Sequence, residues 1–127
     1  KVKINVEEFK TQKFNGDIIS FKKTKKCAFS PDVNTELIDL DTIKNKDIQI
    51  RNWTSGDKFQ PLGMDGTKKV SDYLIDRKID RLSKEKQLVM TANDEIVWLC
   101  GQRISNKFRI TNNTSNMLEL SMCKQIK

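Results

Sequence analysis

The stretch 87–101 reads QLVMTANDEIVWLCG, two apolar runs split by Asn93-Asp94. Asn and Asp tolerate the backbone of a tight hairpin turn, so the pattern predicts a β-hairpin reversing at those two residues. Its second run, IVWLC, is nearly continuous in apolar residues, as expected of a buried strand. A hairpin of that kind needs partners to cover it, and the rest of the chain supplies them as short alternating segments. In KVKINVEEF (1–9) Val2, Ile4 and Val6 alternate with polar residues. FNGDIISF (14–21) places Asn15-Gly16 where a tight turn belongs, within a weak strand pattern. ELIDLDTI (36–43) and DIQIRNW (47–53) are strand candidates, the second with Ile48 and Ile50 on one face and Gln49, Arg51 and Trp53 on the other. KFRIT (107–111) and MLELSMCK (117–124) alternate again.

One segment breaks the strand pattern. From Lys68 onward, Val70, Tyr73 and Leu74 stand at i, i+3 and i+4, which predicts a helix to about Lys78 with Thr67 as its N-cap. DRLSKEK (80–86) adds a further helical turn. The fold class expected is therefore α+β: a strand-rich, sandwich-like single domain over 1–127 with one principal helix. No internal repeat or low-complexity linker is visible.

Composition narrows the function. The chain has 127 residues, enough for one core, and no apolar run approaches the ~20 residues of a membrane span. It begins at Lys1 without a methionine or the apolar stretch of a signal peptide, and enters a strand pattern directly. The expectation is a piece of a longer protein. Cys27, Cys100 and Cys123 are an odd number at spacings that match neither a disulfide framework nor a zinc site, and free thiols favour a reducing cytoplasm. There is no histidine, which removes the commonest general base and metal ligand. The net charge is +7, distributed as +5 over 1–26, −3 over 27–50, +4 over 51–110 and +1 over 111–127. Such a balance suits a polyanion such as nucleic acid, although a Lys- and Asn-rich genome produces it too.

Ahead of the expected helix lies GDKFQPLGMDG (56–66), with three of the five glycines and one of the two prolines. Gly56, Gly63 and Gly66 permit positive φ or close backbone approach, and Pro61 stiffens the loop between them. Successive amides in such a loop, followed by a helix N-terminus, can bind an anion. Lys68 and Lys69 in a first helical turn oppose the helix dipole, a local cost that hints at function. The plain alternative is a long connection carrying solvated lysines. A Walker phosphate loop is excluded by spacing.

The run IRNWTSGDKFQPLGMDGTKKVSDYLIDRKI (50–79), with EIVWLCGQRI (95–104), closely resembles the C-terminal domain of tRNA(Ile)-lysidine synthetases. The family pattern is carried by Arg51, Trp53, Gly56, Asp57, Phe59, Pro61 to Met64, Gly66, Lys68, Lys69, Ser71, Asp72, Tyr73, Asp76, Lys78, Trp98, Gly101 and Arg103. The likeness is strong over 47–111, weak over 36–46 and absent from 1–35. Asp80 departs from it, standing where many members have proline.

The resemblance implies an enzyme that uses ATP, with magnesium, to adenylate the wobble cytidine of an isoleucine tRNA and attach lysine to it. This changes both the codon and the amino-acid identity of the tRNA. Catalysis in the family belongs to an N-terminal domain with an S-G-G-x-D-S loop, which these residues lack, so this chain is expected to hold no catalytic residue and no cofactor. The implied fold is one shared with the phenylalanyl-tRNA synthetase β-subunit. The implied role is to grip tRNA toward the acceptor stem.

The candidate tRNA contacts are Lys68 and Lys69 first, then Arg51, Lys58, Lys78 and Arg103. Each has a salt bridge or solvated charge as its plain alternative, with Asp57 or Asp72 as partners for Arg103. Trp53 and Trp98 could stack on bases, with a core role favoured for Trp98. Asp57, Asp72 and Asp76 read as turn and helix partners of the cations. A second function class is a protein–protein module that docks the N-terminal catalytic domain or forms a homodimer. A third, a self-contained enzyme, has only scattered carboxylates behind it.

Overall fold

The structure, a computed structural model, describes residues 2–4, 12–14, 17–24 and 35–124. Its strands are β1 Val2–Ile4, β2 Gln12–Phe14, β3 Asp17–Thr24, β4 Thr35–Asp39, β5 Ile48–Asn52, β6 Lys58–Phe59, β7 Lys68–Lys69, β8 Leu88–Ala92, β9 Glu95–Leu99, β10 Arg103–Ile104 and β11 Met117–Lys124. Two helices, α1 Val70–Asp76 and α2 Arg81–Glu85, lie between β7 and β8. The strands form an antiparallel sheet in the order β1-β5-β8-β9-β10 and a second in the order β2-β3-β11-β4. β6 and β7 form a ladder of their own.

The 87–101 stretch forms the expected hairpin. Asn93 and Asp94 both take positive φ (49° and 67°), the mirror-image turn that matches strand twist. Every residue of β8 and all of β9 after Glu95 are buried. Alternation assigns their side chains to two clusters. Leu88, Met90 and Trp98 join Ile48 and Ile50 of β5, and Ile19, Ile38, Leu118 and Leu120 from the other sheet, in the main core. Val89, Ile96 and Leu99 face the opposite way, onto Phe59, Val70, Tyr73 and Leu74. A bulge between Met90 and Thr91 lets Val97 and Trp98 both face the main core. The result is three layers: a four-stranded sheet, a five-stranded sheet, and a cover made of α1 and the β6–β7 ladder.

The fold class read from the sequence is therefore the one observed, with three local corrections. First, ELIDLDTI is a strand only as far as Asp39. The Asp39 carboxylate accepts from Asp41 N–H (3.0 Å) and its carbonyl from the Thr42 hydroxyl (2.6 Å), which turns Leu40–Thr42 into a 3-10 helix. Second, KFRIT is not a strand. Asn106–Phe108 is a 3-10 turn that swings Phe108 into the core, leaving Arg109 a single bridge to Ile38. Third, the helix starts at Val70, not Lys68, because Lys68 and Lys69 pair with Phe59 and Lys58 in the ladder. Thr67 is accordingly not its cap. The turn expected at Asn15-Gly16, and Cys27, lie outside the described residues. Cys100 is buried in the main core.

The end of α1 explains Lys78 and Asp80. Ile79 N–H donates to Leu74 O (3.1 Å) and Lys78 N–H to Ile75 O (2.9 Å), the paired bonds of a Schellman stop. That geometry puts Lys78 at φ 56° and packs Ile79 beside Leu74. Asp80 then caps α2, its carboxylate accepting from the Ser83 N–H and hydroxyl, both at 2.9 Å. Gly101 is favoured by its φ of 77°, whereas the 2.5 Å approach of a β-carbon there to Met122 Cε meets only the end of a flexible side chain, which can shift.

Left-handed backbone costs a non-glycine residue about 1 kcal/mol or more. Lys78→Gly is therefore expected to raise stability by about 0.5–1 kcal/mol, after glycine's larger unfolded-state entropy is set against the relief. The check is a higher urea midpoint at unchanged m-value.

Candidate nucleic-acid interface

The segment 54–69 is a long hairpin whose stem is the β6–β7 ladder. Asp57 N–H closes the turn that opens it, donating to Thr54 O (3.0 Å). The Asp57 carboxylate fixes the same turn: it accepts from Thr54 N–H at 2.7 Å and takes a two-pronged bond from Arg51, Nη1 at 2.8 Å and Nη2 at 2.9 Å. Burial pushes the Asp57 carboxyl upward, but the hydrogen bonds from Arg51 and Thr54 outweigh it and hold the group below its ordinary value. Arg51 therefore clasps a loop. With side chains only 19% and 11% exposed, the pair is well removed from solvent.

The middle of the loop is sewn to the five-stranded sheet. Leu62 N–H donates to Ile104 O (3.1 Å), Asn106 N–H donates to Gln60 O (2.7 Å), and buried Pro61 bridges Ser105 between them. Pro61 O accepts from Met64 N–H (3.0 Å), a turn with Gly63 at φ 80°; Gly66 takes φ 82°. A β-carbon at either glycine would meet nothing within 4 Å, so the demand at both is purely conformational. Gly56 shows neither a left-handed φ nor a close neighbour. Its expected part in shaping the loop is not one that needs a glycine.

The ladder redistributes the lysines. Phe59 is buried beneath it, and side chains alternate along a strand, so Lys68, opposite Phe59, shares the inner face. Its ammonium pairs with Asp76 on α1. Lys69 faces outward, directly opposite Lys58, and both are exposed. The expectation that Lys68 and Lys69 aim together from a helix start is thus corrected: consecutive strand residues point apart. α1 has seven residues, and its cap residue Lys69 makes no side-chain capping bond.

The remaining candidates separate in the same way. Arg103 lies 3.6 Å from Glu36, not at Asp57 or Asp72. Glu36 also accepts from Ile104 N–H (2.7 Å), so β4 and β10 are tied across the two sheets. Burial raises the Glu36 carboxyl above its ordinary value despite that bond and the Arg103 charge. Lys78 is exposed in its helix stop, without an ion-pair partner among the described residues. Trp98 is fully buried, while Trp53 packs against the outer cluster and donates its indole N–H to Lys84 O (2.7 Å). Among the described residues no three His, Cys, Asp or Glu side chains gather. No helix among the described residues is long and apolar enough to cross a membrane. What sequence reading missed was the pairing of Lys58 with Lys69, whose signal was Phe59: an apolar residue buried between polar neighbours marks a strand.

Fold and surface together define a strand-rich basic module with an outward-facing lysine pair. Residues 48–120 match the family model described as "TilS substrate C-terminal domain", and the chain belongs to that family. It is 42% identical over 96 residues to the tRNA(Ile)-lysidine synthase of Bacteroides thetaiotaomicron, covering 71% of this chain and 22% of that protein. Identity to the tRNA(Ile)-lysidine synthase of Caldanaerobacter subterraneus subsp. tengcongensis is 39% over 90 residues, covering 71% and 19%. The chain thus spans about a fifth of the length of these curated relatives. Among solved structures, "Crystal structure of TILS C-terminal domain" superposes with a TM-score of 0.75 at 20% identity, covering 89% of this chain and 88% of that one. An N-terminal fragment of the phenylalanyl-tRNA synthetase β-subunit from Pyrococcus horikoshii superposes at 0.58, also 20% identical, covering 69% and 27%. At that identity both show the fold alone.

Removing the Arg51–Asp57 clasp leaves a half-buried cation with one charged partner fewer, so Asp57→Asn is expected to cost about 1–3 kcal/mol at neutral pH. A carboxyl whose folded pKa is depressed contributes stability above its unfolded pKa and loses it as pH falls through the folded value. The gap between wild type and Asp57→Asn should therefore be full above about pH 4 and close below it, in urea melts across pH. Gly63→Ala, strained at φ 80°, is expected to cost about 1 kcal/mol at every pH in the same melts.

Proposed function

We propose that this chain is the tRNA-binding C-terminal domain of a cytoplasmic tRNA(Ile)-lysidine synthetase, gripping an isoleucine tRNA on its acceptor-stem side. In this reading the adenylation of the wobble cytidine by ATP and its joining to lysine take place on an N-terminal domain of the same enzyme. The described residues here hold and orient the tRNA. The observation that carries the reading is the family match over 48–120, which falls on the segment with twelve Lys/Arg against eight Asp/Glu between 51 and 110. An acceptor stem is A-form, and contacts to it fall mainly on phosphates and 2′-hydroxyls. Of the six cations expected to make them, Lys58, Lys69 and Lys78 lack a carboxylate partner among the described residues, whereas Arg51, Lys68 and Arg103 have Asp57, Asp76 and Glu36.

A second reading, docking onto another part of the enzyme or a second copy, is favoured by one observation. Ile75 on α1 and Leu82 on α2 are 60% and 70% exposed. Salt separates the two readings. Binding of an isoleucine tRNA transcript to the chain is expected to weaken by orders of magnitude between about 50 and 200 mM salt, linearly in log–log form, as bound phosphates release counterions. Binding to a partner that is insensitive to salt, with no measurable tRNA affinity at the lower salt, would favour docking. Incubated with ATP, lysine and the tRNA, the chain alone is expected to release no pyrophosphate and form no lysidine.

A further inference from the structure

We propose that Lys58 and Lys69 form a two-pronged clamp for the phosphodiester backbone of RNA, built on the outer face of the β6–β7 ladder. The proposal rests on the tRNA-binding reading and deepens it by naming the residues that meet the phosphates. Its basis is an electrostatic conflict in the fold. The two lysines are direct cross-strand partners, the register that brings side chains to within about 5 Å at their β-carbons. Like charges so placed destabilise a ladder. Three other cations of this region are met by carboxylates, Arg51 by Asp57, Lys68 by Asp76 and Arg103 by Glu36, while Lys78 stands alone on its helix stop rather than beside a like charge. Lys58 and Lys69 have no carboxylate partner among the described residues, and both are exposed.

The stem is held rigidly enough for its charge to be aimed. Phe59 anchors it from below, edge-on to Tyr73 with ring centroids 5.4 Å apart, and Val70 N–H donates to Asp57 O at its end (3.0 Å). A two-residue ladder has no room to slip: a shift of one position would bring Phe59 to the surface. The pair is thus fixed as a doublet of positive charge. Lysine ammonium groups are point charges on flexible stems, suited to phosphate oxygens and unsuited to the bidentate reading of a base edge. The ligand class this doublet fits is a phosphate run, gripped without regard to base.

Electrostatics gives the test a readout that a structural role would not move. Lys58→Glu places opposite charges across the ladder, so the fold should be as stable as wild type or more so, while affinity for an isoleucine tRNA transcript should fall. In Lys58→Gln with Lys69→Gln, the slope of log affinity against log salt should become shallower by about two units, one for each phosphate that no longer meets an ammonium group. Lys68→Gln, which removes the inner lysine, should leave the slope unchanged. Failure of the wild-type chain to bind the tRNA at about 50 mM salt would overturn the tRNA-binding reading itself. Wild-type binding with an undiminished slope in the folded double variant would overturn the clamp alone, and would leave the doublet to an acidic protein surface.

Discussion

Leu88–Ala92 and Ile96–Leu99 have almost no surface that meets water, and most of the molecule is arranged to keep it so. A strand buried on both faces needs a cover on each side. The four-stranded sheet covers one face of the β8–β9 hairpin; α1 and the β6–β7 ladder cover the other. The open end of the hairpin is closed by buried Gln87, whose side-chain amide donates to Leu88 O (2.9 Å) and Cys100 O (2.7 Å). Leu88 O also accepts from Cys100 N–H (3.0 Å), so the buried amide reinforces a backbone bond that already joins the two strands. Covering one hairpin from two sides explains how the described residues hold two hydrophobic clusters, one on each face of it.

The outer cover also decides which charges remain available. Phe59 must face inward to shield Val89 and Leu99, and that choice turns Lys58 and Lys69 outward together while drawing Lys68 toward α1. Arg51, one strand away, is committed to holding the turn at Asp57. The basic character of this segment is therefore sorted by packing into cations that hold the structure and cations that face solvent. Composition supplies the excess of positive charge, and the pleat of a two-residue ladder gives part of it a direction.

Much of this was legible in the sequence, because the long segments carry an unambiguous period. The hairpin at Asn93-Asp94, the alternation of Ile48 and Ile50, the α+β class and the left-handed glycines at 63 and 66 all follow from local rules. The family pattern in 50–79 and 95–104 was legible as well. The misreadings share one cause: a short segment whose conformation is set by a distant partner. Lys68-Lys69 looked like a helix start because nothing local reveals that Lys58-Phe59 will pair with it. Lys107–Thr111 alternates like a strand, but the bond from Asn106 N–H to Gln60 O and the burial of Phe108 bend it into a turn. The cation partners were also hidden, since Glu36 reaches Arg103 from a strand far back in the chain. Asp80 was read only as a departure from the family pattern. It is a helix cap in a segment too short for periodicity to show.

The order of strands in the smaller sheet has a consequence for how the chain comes off the ribosome. β3 and β4 do not pair with each other; each pairs with β11, which lies between them. All five strands of the larger sheet are available once Ile104 has been made, whereas the smaller sheet waits for Met117–Lys124. Until that strand arrives, Ile48, Met90 and Trp98 have a neighbouring sheet with its centre missing. Closing loops of roughly 100 and 80 residues to fill that centre is entropically slow. The nascent domain therefore passes through a half-covered state in which apolar surface and unpaired strand edges are open to other chains. Synthesis places its most aggregation-prone moment just before completion of the fold.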